Sequence, residues 1–117
     1  MTVEDIKKLL NAKVLCCEQN LSHVVVSACG CDMMSDVLAY VQEQPVLLTG
    51  LVNPQVIRTA EMMDFVCVVF VRNKKPDESM IKLAQERNIL LMTTSHQMFE
   101  ACGILYQNGL EGEKQND

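Results

Sequence analysis

Residues 65–71 read Phe-Val-Cys-Val-Val-Phe-Val, an unbroken run of seven apolar side chains. A second apolar run, Ile-Leu-Leu-Met, occupies residues 89–92. Strands with one face in water alternate apolar and polar residues, whereas continuous apolar strands are typical of a parallel sheet covered on both faces. We therefore expect the two runs to be neighbouring central strands of such a sheet.

Strand and helix patterns alternate on either side of these runs. Further strands are predicted at residues 13–17, 21–28 and 46–49, the second from the β-branched run at residues 24–26. Helices are predicted to begin at residues that cap or open helices, namely Thr2, Asp32 or Ser35, Asn53-Pro54, Pro76-Asp77, and Thr94 or Ser95. The second helix should bury Met34, Val37, Leu38 and Val41, and Gly109 should end the last one. This alternation predicts an α/β, single-domain layered fold with a mainly parallel sheet and helices on its faces.

The size and charge of the chain limit its class. With 117 residues there is room for one domain, predicted at residues 1–110 and followed by a flexible acidic tail at 111–117. The net charge of −5 disfavours nucleic acid as a partner. No apolar run reaches the roughly 18 residues of a membrane span. The first residues form an amphipathic pattern that includes acidic side chains, which is not expected of a signal peptide. A cytoplasmic location is expected.

Six cysteines resemble a disulfide framework at first sight. Most of them lie within apolar runs, and no export signal is expected, so reduced thiols packed as small apolar groups are the better interpretation. Cys29 and Cys31 could hold a metal together with His23 or His96. A lone Cys-x-Cys lacks the usual Cys-x-x-Cys spacing, and we predict no metal and no cofactor.

Polar residues follow the predicted strands at their carboxyl ends, where open α/β sheets bind ligands. Glycines, hydroxyls, helix starts and basic side chains meet there, a combination that suits an anion such as a nucleotide phosphate. The predicted ligand-binding residues are Thr49, Gly50, Asn53, Arg58, Arg72, Lys74 and Thr94. The alternative is that these residues cap helices or lie in solvated loops and point in different directions.

Four stretches carry a resemblance to a known family. They read Asp-Met-Met-Ser-Asp-Val-Leu-Ala at 32–39, Leu-Leu-Thr-Gly-Leu-Val-Asn-Pro-Gln-Val-Ile-Arg-Thr-Ala at 47–60, Pro-Asp-Glu at 76–78 and Phe-Glu-Ala-Cys-Gly-Ile-Leu-Tyr at 99–106. In order and spacing they resemble the DRTGG family, especially its short free-standing bacterial members. The Asp-Arg-x-x-Thr-Gly-Gly stretch that names the family is replaced by Ser-His-Val-Val-Val-Ser-Ala at 22–28, so contacts made by that stretch are altered here.

The resemblance implies an accessory domain. DRTGG domains occur within phosphate acetyltransferases and beside CBS modules in inorganic pyrophosphatases, and the N-terminal domain of HPr kinase is similar. The chain has no Gly-x-x-x-x-Gly-Lys-Ser/Thr loop, no serine elbow motif and no dinucleotide fingerprint, and we predict that it is not an enzyme. The expected function is a regulatory module of bacterial metabolic or redox signalling that senses a small anionic, nucleotide-like ligand or a partner protein. The alternative is a structural interaction subunit of a larger complex.

A homodimer is also predicted. The helix around Met33, Met34, Val37 and Leu38 has more apolar positions than one buried stripe needs, and Met side chains supply adaptable apolar surface. This helix, together with the Leu51-Val52 loop, is the expected contact.

Overall fold

The computed structural model describes residues 1–40 and 42–113. One sheet contains five strands, β1 (Lys13–Cys16), β2 (Ser27–Gly30), β3 (Pro45–Thr49), β4 (Cys67–Phe70) and β5 (Leu90–Thr93), in the order β1-β5-β4-β3-β2. β2, β3, β4 and β5 are parallel to their neighbours, and β1 is antiparallel to β5. The mainly parallel sheet predicted from the sequence is confirmed.

Five helices cover the two faces of this sheet. They are α1 (Val3–Leu9), α2 (Met34–Val37), α3 (Pro54–Met62), α4 (Glu78–Glu86) and α5 (Met98–Gln107). Side chains of α1 and α5 pack with one set of strand residues in one buried cluster. Those of α2, α3 and α4 pack with the alternate strand residues in a second cluster. The domain therefore has three layers, as the continuous apolar strands require.

The two apolar runs form the neighbouring strands β4 and β5, as predicted. β4 is the central strand of the five, and every residue of β4 and β5 is buried. Val68 pairs with Leu91, and Phe70 pairs with Thr93 at the carboxyl end. Burying one such large aliphatic or aromatic side chain stabilises the folded state by about 1.5–3 kcal/mol. The two strands therefore hold the carboxyl rim of the sheet in place.

Three helix starts follow the sequence prediction. Thr2 and Asp5 form the expected capping box, and hydrogen bonds from Thr2 lower the pKa of the Asp5 carboxyl. Asn53 caps α3, with Pro54 at its first position. Asp77 caps α4, and hydrogen bonds from Ser79 and Met80 lower its pKa. These caps satisfy amide groups that have no partner within the helix.

The strand predicted at residues 21–28 is wrong in its position. β2 begins only at Ser27, whereas Val24 and Val26 are about half exposed and Val24 forms only an isolated bridge with Thr2. The amide of Val25 donates to the Met1 carbonyl at 2.7 Å. The β-branched run therefore precedes β2 and lies beside the first residues of the chain, because burial and pairing override strand propensity.

Two predicted helix starts are also wrong. α2 has one turn, begins after Met33 without a side-chain cap, and buries only Val37. Leu38 is exposed, and Val41 lies outside the described residues. α5 begins after Gln97, again without a side-chain cap, because Thr94 has a different partner. Neither Asp32 nor Ser35 caps α2, and neither Thr94 nor Ser95 caps α5.

All six cysteines are free thiols. Complete burial raises the pKa of Cys67 to about 12, so this thiol is protonated at neutral pH. In the predicted acidic tail, Glu111 forms a parallel bridge with Ser27, and residues 114–117 lie outside the described residues. None of the helices in the described ranges combines the length and apolar character needed to cross a membrane.

Candidate functional site at the carboxyl rim of the sheet

The end of β3 presents two hydrogen-bond donors at the rim. Thr49 is the last residue of the strand, and Gly50 follows it. The hydroxyl of Thr49 donates to Oδ1 of Asp32 at 3.0 Å, and the amide of Gly50 donates to the same oxygen at 2.7 Å. The amide of Leu51 donates to Thr49 Oγ1 at 3.1 Å. One carboxylate oxygen of Asp32 therefore occupies the position where the Thr49 hydroxyl and the Gly50 amide converge.

Arg72 brings a positive charge to the side of Gly50. A methyl group at Gly50 would lie 2.7 Å from Nη2 of Arg72, so the guanidinium covers the space that a side chain at residue 50 would fill. The guanidinium thus lies beside Gly50, next to the amide and the hydroxyl that bind Asp32, and within the described residues it forms no ion pair with Asp32 itself. Amide and guanidinium donors of this kind bind carboxylate or phosphate oxygens through short, charge-assisted bonds.

The backbone at Arg72 is held in an unusual conformation. Arg72 and Asn73 have φ angles of 57° and 56°, a left-handed region that costs most residues about 1–2 kcal/mol. Their amides donate to the carbonyls of His96 and Thr94, each at 2.8 Å. The turn after β4 is therefore fixed to the loop before α5, and this fixes where the Arg72 side chain begins.

Lys74 and Asn53 lie in the loops next to these donors. Lys74 is exposed, and its carbonyl accepts a 2.8 Å hydrogen bond from the Thr93 hydroxyl at the end of β5. Asn53 is exposed, and its Oδ1 accepts from the Gln55 amide at 2.8 Å. The Lys74 ammonium therefore adds positive field at the rim, while the Asn53 carbonyl oxygen serves as a helix cap.

Arg58 and Thr94 stand apart from the central group. Arg58 is exposed on α3, and within residues 1–40 and 42–113 no hydrogen bond or ion pair involves its guanidinium. The hydroxyl of Thr94 is buried and donates to the Leu10 carbonyl at 2.7 Å. Of the predicted residues, the structure brings Thr49, Gly50 and Arg72 into one group, with Lys74 nearby.

Asp32 is the residue at the rim that sequence reasoning missed as a binding partner. The local pattern indicates a helix cap, since Asp commonly precedes a helix. Its hydrogen-bond partners lie 17 and 18 residues further along the chain. Their proximity arises from the parallel pairing of β2 with β3, which places Gly30 beside Leu48. No local sequence signal carries this information.

Cysteines near the rim offer little reactivity. Burial and the neighbouring thiols Cys31 and Cys102 raise the pKa of Cys29 to about 11. Burial also raises the pKa of Cys102. Thiols with raised pKa are poor nucleophiles and poor metal ligands at neutral pH. Among the residues that the structure describes, no three His, Cys, Asp or Glu side chains come close enough to hold a metal ion.

A family model for the DRTGG domain matches residues 5–107. The chain belongs to the DRTGG domain family. The match includes residues 22–28, where none of the residues that name the family is present. No curated protein sequence matches the chain.

A solved structure shares the fold. It contains the CBS and DRTGG domains of the regulatory region of Clostridium perfringens pyrophosphatase, complexed with its activator, diadenosine tetraphosphate. The TM-score is 0.70 and the sequence identity is 17%. The match covers 91% of this chain and 46% of the pyrophosphatase chain, so this chain spans about half of that protein region. The similarity shows a common α/β fold.

Proposed function

We propose that this DRTGG domain is a non-catalytic regulatory module that binds a small anionic, nucleotide-like ligand at the carboxyl rim of its sheet. Thr49, Gly50 and Arg72 form the centre of the site, and Lys74 adds positive charge beside it. Asn53, Arg58 and Thr94 belong to its surroundings, where Asn53 and Thr94 orient the loops.

One observation carries this proposal. The Gly50 amide and the Thr49 hydroxyl converge on a single anion position, which a carboxylate oxygen of Asp32 occupies at 2.7 and 3.0 Å, and the Arg72 guanidinium lies beside Gly50. A carboxylate oxygen held in this way supports the proposal that the rim accepts an anion. Because the overall charge of the chain is −5, positive groups at one rim favour an anion there over other parts of the surface.

The nucleotide character of the ligand is supported by the pyrophosphatase region that shares the fold. That region, which contains CBS as well as DRTGG domains, is complexed with diadenosine tetraphosphate, a molecule with several phosphates. Phosphate oxygens match the donors at the rim of this chain. We therefore propose an adenine nucleotide or a related polyphosphate as the ligand class.

The remaining parts of the functional prediction stay predictions. They are the absence of catalysis, the cytoplasmic and bacterial setting, and the likeness to the accessory domain of phosphate acetyltransferases and the N-terminal domain of HPr kinase. A partner protein that reads the bound state is part of the same proposal, because a regulatory module needs a second surface to pass on its signal.

A thermal-shift experiment tests the site. ATP, diadenosine tetraphosphate and inorganic triphosphate are added to the wild type and to Arg72→Ala. A ligand at 100 times its Kd adds about 2.7 kcal/mol, which raises the melting temperature of a domain this size by roughly 10 °C. We expect this shift in the wild type and its loss in Arg72→Ala, with the unliganded melting temperature nearly unchanged.

The matched control is Arg87→Ala. Arg87 pairs with Glu61 at 3.4 Å on an exposed surface. Arg87→Ala removes the same positive charge as Arg72→Ala but does so away from the rim, so the ligand-induced rise in melting temperature should persist. The absence of a shift in the wild type with all three compounds would reject the ligand class. An equal loss in both variants would show a general charge effect.

We also propose a homodimer, with a second copy of the chain as the occupant of an exposed apolar surface. The predicted surface around α2 exposes 61% of Met33, 41% of Leu38 and 38% of Val52. α5 exposes more, with 88% of Phe99 and 71% of Tyr106. Such apolar patches on small proteins mark contacts with other molecules.

Two variants distinguish the surfaces. Met33→Glu should yield a monomer by light scattering if α2 forms the contact, and Phe99→Glu should do so if α5 forms it. A wild-type protein that is monomeric at high concentration would reject the homodimer.

A further inference from the structure

Both rim donors of the proposed anion site are already bonded to a residue of the same chain. Oδ1 of Asp32 accepts from the Gly50 amide at 2.7 Å and from the Thr49 hydroxyl at 3.0 Å. Thr49 is fully buried, whereas Asp32 is exposed. A ligand oxygen can therefore bind these two donors only at the position that the Asp32 carboxylate now fills.

Asp32 has the properties of a competitor for that position. Its carboxylate oxygen accepts the same charge-assisted hydrogen bonds as a phosphate oxygen. Because Asp32 is exposed, its carboxylate can return to water without the cost of leaving a charge buried. We propose that Asp32 is an internal latch that closes the rim in the unliganded protein and is displaced when the ligand binds, a mechanism that rests on the proposed anion site.

The latch is connected directly to α2. Asp32 lies two residues before this helix, which has one turn and no side-chain cap. The turn is closed by amides of Val37 and Leu38 that donate to the carbonyls of Met33 and Met34 at 3.1 and 3.0 Å. A single helical turn has little stability of its own, because nucleation is unfavourable. The bonds of Asp32 to β3 therefore help to hold α2 in place.

Displacement of Asp32 consequently changes an exposed apolar surface. Met33 is 61% exposed and Leu38 is 41% exposed, and both flank the single buried anchor of α2, Val37. When Asp32 leaves the rim, residues 33–38 become freer to move, while Val37 resists complete release. Ligand binding at the rim is thus converted into a change in α2, which supplies the output that a regulatory module needs.

Calorimetric titration with inorganic triphosphate tests the latch. The variants are Asp32→Ala, which removes the competing carboxylate, and Asp32→Asn, which keeps its shape but removes its charge. We expect Asp32→Ala to bind roughly tenfold more tightly than the wild type, the scale of one charge-assisted hydrogen bond, with Asp32→Asn in between. Asp36→Asn is the matched control, because Asp36 is exposed within α2. The substitution removes the same negative charge without removing a contact at the rim. Its affinity should change less than twofold.

Hydrogen exchange provides a second readout, and its wild-type measurement does not depend on any variant folding well. In the wild type, saturating triphosphate should speed the exchange of the amides at residues 33–38 several-fold, whereas unliganded Asp32→Ala should already exchange fast. Unchanged exchange in the liganded wild type would overturn the latch. If the wild type binds triphosphate and Asp32→Ala binds it with equal or lower affinity, the latch would also be overturned. The anion site itself would still be supported in that case. Failure of every form to bind triphosphate would reject the site and the latch together.

Discussion

The two ends of the parallel sheet differ in chemistry although the same strands form both. At the carboxyl end, the Gly50 amide and the Thr49 hydroxyl face an anion position beside Arg72. At the amino end lies a cleft of about 810 Å³ whose charged lining residues are all acidic, namely Glu43, Asp64 and Glu111. Size alone would favour the cleft as a binding site. Charge and donor direction favour the rim for an anion.

The difference follows from strand direction. In parallel α/β units, each strand leads at its carboxyl end toward the start of a helix, where amides lack partners, and receives at its amino end a helix terminus rich in carbonyls. Thr49 and Gly50 precede α3, whereas Asp64 follows the end of α3 and precedes β4. The acidic amino-end cleft therefore suits an anionic ligand less well than the site proposed at the rim.

The largest expected effect concerns the strand that joins both ends. Phe70 is fully buried at the end of β4, two residues before Arg72. Phe70→Ala should lower the free energy of unfolding by about 3–5 kcal/mol, because it removes apolar burial and leaves a cavity. Chemical denaturation measures this loss. A change below 1 kcal/mol would show that the rim does not depend on this part of the core.

The next largest effect is expected on ligand affinity at the rim, with little change in the stability of the core that supports it. Gly50→Ala places a methyl group 2.7 Å from Nη2 of Arg72, the far end of a flexible side chain. The guanidinium must move, so triphosphate affinity should fall roughly tenfold by calorimetry, while stability changes little. Gly103→Ala is the control, since beyond the adjacent backbone of α5 no atom lies within 4 Å of the added methyl group. An unaltered affinity in Gly50→Ala would show that Arg72 does not contact the anion.

A smaller effect distinguishes helix capping from ligand contact. Asn53→Ala removes the 2.8 Å acceptor for the Gln55 amide at the start of α3. Its stability should fall by about 1 kcal/mol, the usual effect of losing an N-cap. Triphosphate affinity, measured by the same titration, should stay within twofold of the wild type. A tenfold loss of affinity at unchanged stability would instead place Asn53 in the binding site.

The smallest effect is expected at the amino end. Asp64→Asn removes one negative charge from the cleft, and Asn tolerates the left-handed φ of 55° found at this position. Triphosphate affinity should change less than twofold, because exposed charges more than a Debye length apart are largely screened at physiological salt. A gain as large as that expected for Asp32→Ala would show that the anion binds at the amino end.

The centre of the fold could be predicted because its signals are local. Unbroken apolar runs identify β4 and β5, and the Asn53-Pro54 and Asp77 caps identify the starts of α3 and α4. The prediction failed where tertiary pairing decides the outcome. The β-branched run at residues 24–26 has strand propensity, but β2 lies beyond it because its register with β3 begins at Ser27.

The candidate site could be predicted only in part for the same reason. Parallel topology places strand ends together, and this brought Thr49, Gly50 and Arg72 into one predicted group. Which side chains turn toward each other depends on rotamers and loop conformations that the pattern does not encode. The Thr94 hydroxyl bonds to Leu10, 84 residues earlier, and the Asp32 carboxylate bonds to β3 instead of capping α2.

Amide chemical shifts of the glycines provide the most direct test of the central claim, because glycines mark both ends of the sheet. Gly50 lies at the rim, and Gly109 lines the amino-end cleft. During titration of the ¹⁵N-labelled protein with triphosphate, the Gly50 amide should shift strongly and saturably as its bond to Asp32 is exchanged for one to the ligand, while Gly109 stays in place. A saturable shift of Gly109 with an unmoved Gly50 would contradict an anion site at the carboxyl rim.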